Sequence, residues 1–260
     1  MNRIQQAFTH GKAFIPFITG GDPDIATTEQ LIYEMAKKGA DLIEIGIPFS
    51  DPIAEGPVIQ EADARALSGG CTTDALFDMV KRVRKTVEIP LVFMTYLNPI
   101  YSYGSERFME NCKEAGIDGV IVPDMPYEEK DELKPMCEAN GIALISLIAP
   151  TSKERIRTIA REAEGFIYCV SSMGVTGVRT EITSDINGMV SLVREVTDLP
   201  VAIGFGIATP KQAEEMAAYA DGVIVGSAIV KLVAAEGKAS VDTVGAYVAD
   251  MKQAVMRQSY

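Results

Sequence analysis

A chain of 260 residues that is 47% hydrophobic holds enough apolar material for one large core and does not require two domains, so residues 1–260 are expected to form a single catalytic domain. The 24 basic and 36 acidic residues leave a formal charge of -12, a field that repels polyanions and argues against a nucleic-acid partner. The N-terminal MNRIQQAFTHGKAF lacks the continuous apolar stretch of a secretion signal and no later run reaches bilayer length, so a cytoplasmic protein with no membrane association is expected. Cys71, Cys112, Cys137 and Cys169 are scattered without a CxxC pair, which gives neither a zinc site nor a disulfide framework. His10 is the one histidine, so proton chemistry falls to carboxylates, tyrosines or lysines.

Eight apolar segments follow one another along the chain, each of a length and composition that suits a strand buried on both faces. They are AFIPFITG from Ala13, DLIEIGIPF from Asp41, PLVFMTY from Pro90, DGVIVPD from Asp118, IALISLIAP from Ile142, GFIYCVSS from Gly165, PVAIGFGI from Pro200 and DGVIVGSA from Asp221. Stretches of helical period separate them. After the second, VIQEADARALSGG leaves room for an extra helix, and TTDALFDMVKRVRKTVE then places Leu76, Met79, Val80, Val83 and Val87 on one stripe, with Thr72 or Thr73 as its cap. After the fifth, TSKERIRTIAREAEG turns Ile156, Ile159, Ala160 and Ala163 inward. The stretch GVTGVRTEITSD after the sixth lacks strong periodicity and reads as an elaborated loop, whereas Thr209-Pro210 after the seventh reads as a helix start. Count and length favour a closed (β/α)8 TIM barrel over an open doubly wound sheet, with extra short helices in its βα loops.

In DLIEIGIPF the side chains alternate, so Ile43, Ile45 and Ile47 share one face while Leu42, Glu44 and Gly46 share the other. With the isoleucines against surrounding helices, Glu44 points into the barrel, where ionisation is costly and its pKa rises toward a value useful for acid-base work. The alternative is a structural glutamate tied to a lysine or arginine, but the neighbouring motifs supply no basic residue. From Pro48 to Pro57 a stiff loop with three prolines holds Asp51 and Glu55, one of which can face a pocket.

Three glycine motifs follow the last three strands: VTG ending at Gly177, GFGI containing Gly206, and GSA containing Gly226 and Ser227. Barrels build phosphate sites at these strand ends. The motifs carry no lysine or arginine, so a phosphate there would be held by backbone N–H dipoles and the Ser227 hydroxyl. GFG is not a dinucleotide fingerprint, because Thr209 stands where a third glycine would fall. Phe17, Tyr96, Tyr168 and Phe205 lie near strand ends and suit either a pocket wall or the core. Met79 and Met216, on helical faces, are packing residues.

Taken together, FIPFITGGDPD, LIEIGIPFSDPIAEGP, VPDMP, YCVSSMGVTG, GFGI and VGSAIV resemble the tryptophan synthase alpha-subunit family along essentially the whole chain. The resemblance implies a lyase that cleaves indole-3-glycerol phosphate to indole and glyceraldehyde 3-phosphate late in tryptophan biosynthesis. It implies that Glu44 is the main acid-base residue, that Glu55 serves the indole nitrogen, and that Asp51 helps set the loop. It further implies that Gly177, Gly206, Gly226 and Ser227 hold the phosphate and that Phe17, Tyr96, Tyr168 and Phe205 border the substrate. The family usually has aspartate in A-D-G-P where this chain reads Ala54-Glu55-Gly56-Pro57. The implied partner is a pyridoxal-phosphate beta subunit in an α2β2 assembly, with no cofactor or metal in this chain. Two other readings stand beside it. One is a sugar-phosphate isomerase or epimerase barrel, which usually pairs its acid with lysine, histidine or a metal. The other is a catalytically silent subunit that senses phosphates, against which Glu44 and Glu55 argue.

Overall fold

A computed structural model of the chain describes residues 2–170, 179–204 and 206–257, with the backbone alone described for 179–185. The elements run α1 (Arg3–Gln6), β1 (Ala13–Thr19), α2 (Ile25–Lys37), β2 (Ile43–Gly46), α3 (Pro57–Ser68), α4 (Thr73–Val83), β3 (Leu91–Met94), α5 (Leu97–Tyr103) and α6 (Ser105–Ala115). They continue with β4 (Gly119–Ile121), α7 (Lys134–Asn140), β5 (Ala143–Ile148), α8 (Lys153–Arg161), β6 (Ile167–Val170), α9 (Arg179–Arg194), β7 (Val201–Gly204), α10 (Pro210–Ala217), β8 (Gly222–Val225), α11 (Ser227–Glu236) and α12 (Ser240–Met256). The strands pair in sequence order, all parallel, and β8 pairs with β1 to close the barrel. All eight expected strands are present. Among the described residues no helix is long and apolar enough to cross a membrane.

Helix starts follow local capping chemistry, because the first N–H groups of a helix have no partner within it. Asp24, Thr72 and Ser152 each accept a backbone N–H three residues on, and Thr209 and Gln212 form a reciprocal capping box ahead of Pro210. Leu76, Met79, Val80 and Val83 form the expected buried stripe of α4. That helix ends at Val83, so Val87 is buried from the turn that follows rather than from the helix. Likewise α8 ends at Arg161 and Ala163 packs from beyond it. The loop expected over 174–185 is corrected from Arg179 onward, where α9 begins. Its register is set further along by Ile186, Met189, Val190 and Val193, which are buried with helical spacing.

The alternation of β2 separates two cores. Ile43, Ile45 and Ile47 pack outward with Leu31, Leu76 and Val80 of the helix ring. Leu42 packs inward with Ile15, Val92, Ile121, Ile145 and Ile224, and Ile4 of α1 joins this interior cluster. A third cluster, Phe17, Ile59, Ala62 and Val230, joins the end of β1 to helices α3 and α11. These two helices therefore seat on the barrel's C-terminal mouth, where βα connections carry side chains toward one another.

Candidate active site at the C-terminal mouth

Strand register pairs Phe17 of β1 with Glu44 of β2, and Glu44 with Val92 of β3, which fixes the glutamate among inward-facing residues. Glu44 is 0% exposed, and among the described residues neither of its carboxyl oxygens has a hydrogen-bond partner. An unpaired carboxylate in such a place is strongly disfavoured. Burial, with added repulsion from Glu55, pushes its pKa up to about 8, so the group is largely protonated at neutral pH. The bland alternative, a glutamate paired with lysine or arginine, does not fit these surroundings.

A cavity of about 1040 Å³ is lined by Phe17, Glu55, Tyr168, Gly206, Gly226 and Ser227 among others. Glu55 comes from the loop between β2 and α3 and is partly buried there, which raises its pKa as well. Glu44 is the more deeply enclosed of the two acids, so its charged form is the more strongly penalised. Of the two loop acids, Asp51 is exposed, takes the Ser50 hydroxyl at 2.6 Å, and uses its backbone carbonyl to accept the Ile53 N–H. It shapes the turn and lies outside the cavity lining.

Tyr168 lies on β6, and burial followed by repulsion from Glu44 and Glu55 holds its phenol well above the usual range. Its ring packs against the backbone of Gly204 so closely that an added Cβ would stand 2.5 Å from a ring carbon. Tyr96, expected to border the substrate, follows the end of β3. It is buried, and its hydroxyl accepts the N–H of Ala54, a residue of the cavity lining, at 2.9 Å. The Gln60 side-chain amide donates to the Glu55 carbonyl at 2.9 Å, so the backbone on both sides of the peptide joining Ala54 to Glu55 is tethered.

Another part of the cavity lining comes from the start of α11. Helix α11 starts at Ser227, and the N–H groups of Ile229 and Val230 return to the Gly226 carbonyl at 2.9 and 3.1 Å. The Ser227 and Ala228 N–H groups precede them at the positive end of the helix dipole, a ready anion seat. Gly206 lines the same space with φ +61°, a left-handed conformation that favours glycine. Lys231, four residues after Ser227 and so on the same helix face, also lines the cavity, a cation that the glycine motifs did not reveal. A second residue missed by the sequence reading is Asp63 of α3, 5% exposed. Gly177 and Phe205 lie outside the described residues.

The chain matches the family model described as tryptophan synthase alpha chain over residues 4–256. That match covers nearly the whole barrel. The chain belongs to the tryptophan synthase alpha chain family. It is 50% identical over 236 residues to the tryptophan synthase alpha chain of Lacticaseibacillus casei, covering 91% of this chain and 89% of that one. It is 46% identical to the corresponding chain of Citrifermentans bemidjiense, with 100% of both covered. Among solved structures, the alpha chain from Legionella pneumophila subsp. pneumophila superposes with a TM-score of 0.88 at 38% identity, covering 98% of this chain and 97% of that one. An aminoacrylate-bound tryptophan synthase from M. tuberculosis superposes with a TM-score of 0.87 at 29% identity, covering 98% and 100%. Membership selects the lyase reading over the isomerase and the silent-sensor alternatives.

Proposed function

We propose that Glu44 and Glu55 carry out the cleavage of indole-3-glycerol phosphate to indole and glyceraldehyde 3-phosphate in this chain. The carbon–carbon bond can break once indole C3 is protonated, which places positive charge on the ring nitrogen. Glu44, protonated because it is buried without a partner, donates that proton. It then accepts the proton of the side-chain hydroxyl as the aldehyde forms. The electron pair of the broken bond returns to the ring and neutralises the nitrogen. Glu44 thus ends the cycle protonated, and Glu55 as a carboxylate holds the ring N–H and stabilises the cation between the two steps. Phe17 and Tyr168 flank the ring, and the substrate phosphate sits at Gly206, Gly226 and Ser227, with Gly177 as a fourth member by resemblance. Asp51 and Tyr96 shape the loop that bears Glu55.

The observation that carries this reading is a fully buried, partnerless glutamate close enough to two groups of the cavity lining, Glu55 and Tyr168, to feel and exert their charge. The scheme uses no metal or cofactor from this chain. The family implies a beta-subunit partner, and the finer reading is an α2β2 assembly in which that subunit holds pyridoxal phosphate. Ile53, 83% exposed at the tip of the loop bearing Glu55, suits a contact that couples partner docking to the site. The test is indole release from indole-3-glycerol phosphate by the purified chain, alone and with a beta subunit. Turnover that rises on mixing supports the whole reading, and absence of indole in both cases refutes it.

A further inference from the structure

We infer that the Phe17 ring, seated on the bare backbone of Gly46, is the cover that closes Glu44 off from the mouth of the barrel, which makes Gly46 a positioning residue for the reaction. The consequence for turnover rests on the acid-base role given to Glu44 above. Alternation puts Leu42, Glu44 and Gly46 on the inward face of β2, with Gly46 one step nearer the C-terminal mouth. A side chain at position 46 would stand next above the carboxyl on that face. Gly46 has none, and its space belongs instead to Phe17 of β1, which pairs with Glu44 across the two strands. A Cβ built on Gly46 would stand 2.7 Å from Cζ of the Phe17 ring and 3.0 Å from Cε2.

The ring is held in this place by its other neighbours. Its base lies against Gly226, just beyond β8, where a Cβ would stand 3.3 Å from Cδ1 and 3.5 Å from Cβ of Phe17. Ile59 and Ala62 of α3 and Val230 of α11 complete its packing. Glycines beside both flanking strands thus let one aromatic ring lie across the inner face of β2, and the two helices keep it from swinging clear. Phe17 is 5% exposed and Glu44 0%, the order that a cover and the group beneath it should show.

A carboxyl that must hold its proton needs a dry site, because water reaching it would solvate the charged form. Burial is the first cause of the Glu44 pKa of about 8, and repulsion from Glu55 the second. Glu55 and the Tyr168 phenol are the titratable groups that face Glu44 among the described residues, and neither offers a positive charge. The protonated state therefore follows the seal. Shortening the ring and pushing it off Gly46 should both admit water and let Glu44 ionise at lower pH. Doing both at once should not, since a methyl on residue 46 occupies the volume that the lost ring atoms vacate.

The experiment compares the full chain as wild type, Gly46→Ala, Phe17→Leu and the Gly46→Ala/Phe17→Leu double variant, each with Glu44 intact and with Glu44→Gln. Urea unfolding is followed from about pH 4.5 to 9, and kcat for indole release from about pH 6 to 9. In the wild-type background, the advantage of Glu44→Gln in the unfolding constant should widen by about tenfold per pH unit above 4.5 and level off near pH 8. In each single variant it should level off about one unit sooner, at about a tenth of its wild-type size, and the alkaline fall of kcat should move down with it. In the double variant it should return to within about threefold of wild type. A merely structural role would lower stability equally with Glu44 and with Glu44→Gln and leave the widening untouched. That outcome in both single variants overturns the inference, as does a double variant no better than either single one. Should Gly46→Ala fail to fold, Phe17→Leu and the double variant decide. If Glu44→Gln turns over at the wild-type rate, the acid-base reading falls and with it the consequence for turnover, while the unfolding comparison decides the cover by itself.

Discussion

Replacing Glu44 by glutamine separates what the carboxyl does for catalysis from what it costs the fold. Below pH 4.5, the group's ordinary pKa, both the folded and unfolded chains hold the proton and the residue has no effect on stability. Above it the unfolded chain releases the proton while the folded chain keeps it up to about pH 8. Unfolding therefore releases a proton across this window, and folded-state stability falls by about 1.4 kcal/mol for each pH unit. At pH 7 the accumulated loss approaches 3 kcal/mol as an upper figure, since relaxation around a buried charge reduces it. Glutamine fills nearly the same space and does not titrate. Glu44→Gln should thus match wild type in urea unfolding near pH 4.5 and exceed it increasingly toward neutrality, by up to about 3 kcal/mol at pH 7. The same variant loses the proton donor, and its kcat for indole release should fall by about a hundredfold or more. A stability difference that stays constant between pH 5 and 7.5 refutes the sealed-carboxyl argument, and retention of more than about a tenth of the wild-type rate refutes the catalytic assignment.

Glu55→Gln should lower kcat severely, because an amide lacks the charge that binds the cationic ring, whereas Glu55→Asp should be milder, as the loop moves to close a gap of about 1.5 Å. If Glu55→Gln matches wild type while Asp51→Asn is inactive, the loop acids have been assigned in reverse. Gly204→Ala places a methyl 2.5 Å from the Tyr168 ring, so the ring must shift and kcat/KM should drop; an unchanged value shows that the ring's position is immaterial to turnover. Ser227→Ala should raise KM roughly fivefold with little change in kcat, the loss of one hydrogen bond of about 1 kcal/mol to the phosphate, and an unchanged KM removes Ser227 from that site.

The barrel was legible because parallel strands enclosed on both faces must be almost wholly apolar, and the eight runs from Ala13 to Asp221 stand out against charged helices. Glu44 was legible for a related reason: a period of two assigns it to the face of Leu42 and Gly46 once the three isoleucines are placed outside. Where a residue leaves the strand that rule stops. Tyr96 lies two residues beyond the end of β3, so alternation could not tell whether its ring meets the cavity or the loop behind it. The start of α9 was hidden because Thr180, Thr183, Ser184 and Asp185 are weak helix formers. The later stripe through Val193 nevertheless packs against the barrel. Asp63 needed the phase of α3: its place follows from Ile59, Ala62 and Ala66 at helical spacing, a signal present in VIQEADARALSGG but diluted by Glu61 beside it.

Two glutamates with the same intrinsic chemistry acquire opposite roles in the proposed reaction through placement alone. Glu44 sits on β2 between β1 and β3, fully buried and without a hydrogen-bond partner among the described residues, and so it keeps its proton. Glu55 sits on a tethered loop with partial exposure, where its charged form is less strongly penalised than that of Glu44. A lysine or arginine at either position would defeat the division, since it would ionise Glu44 or neutralise the charge that Glu55 offers the ring. Of the cations that line the cavity, Lys130, Lys134, Arg155 and Lys231, the last stands on α11 one turn after Ser227. A phosphate seated at the start of α11 would meet Lys231 on the same helix face, so in the proposed reaction the helix dipole and this cation act on the anionic end of the substrate while Glu44 and Glu55 act on its ring.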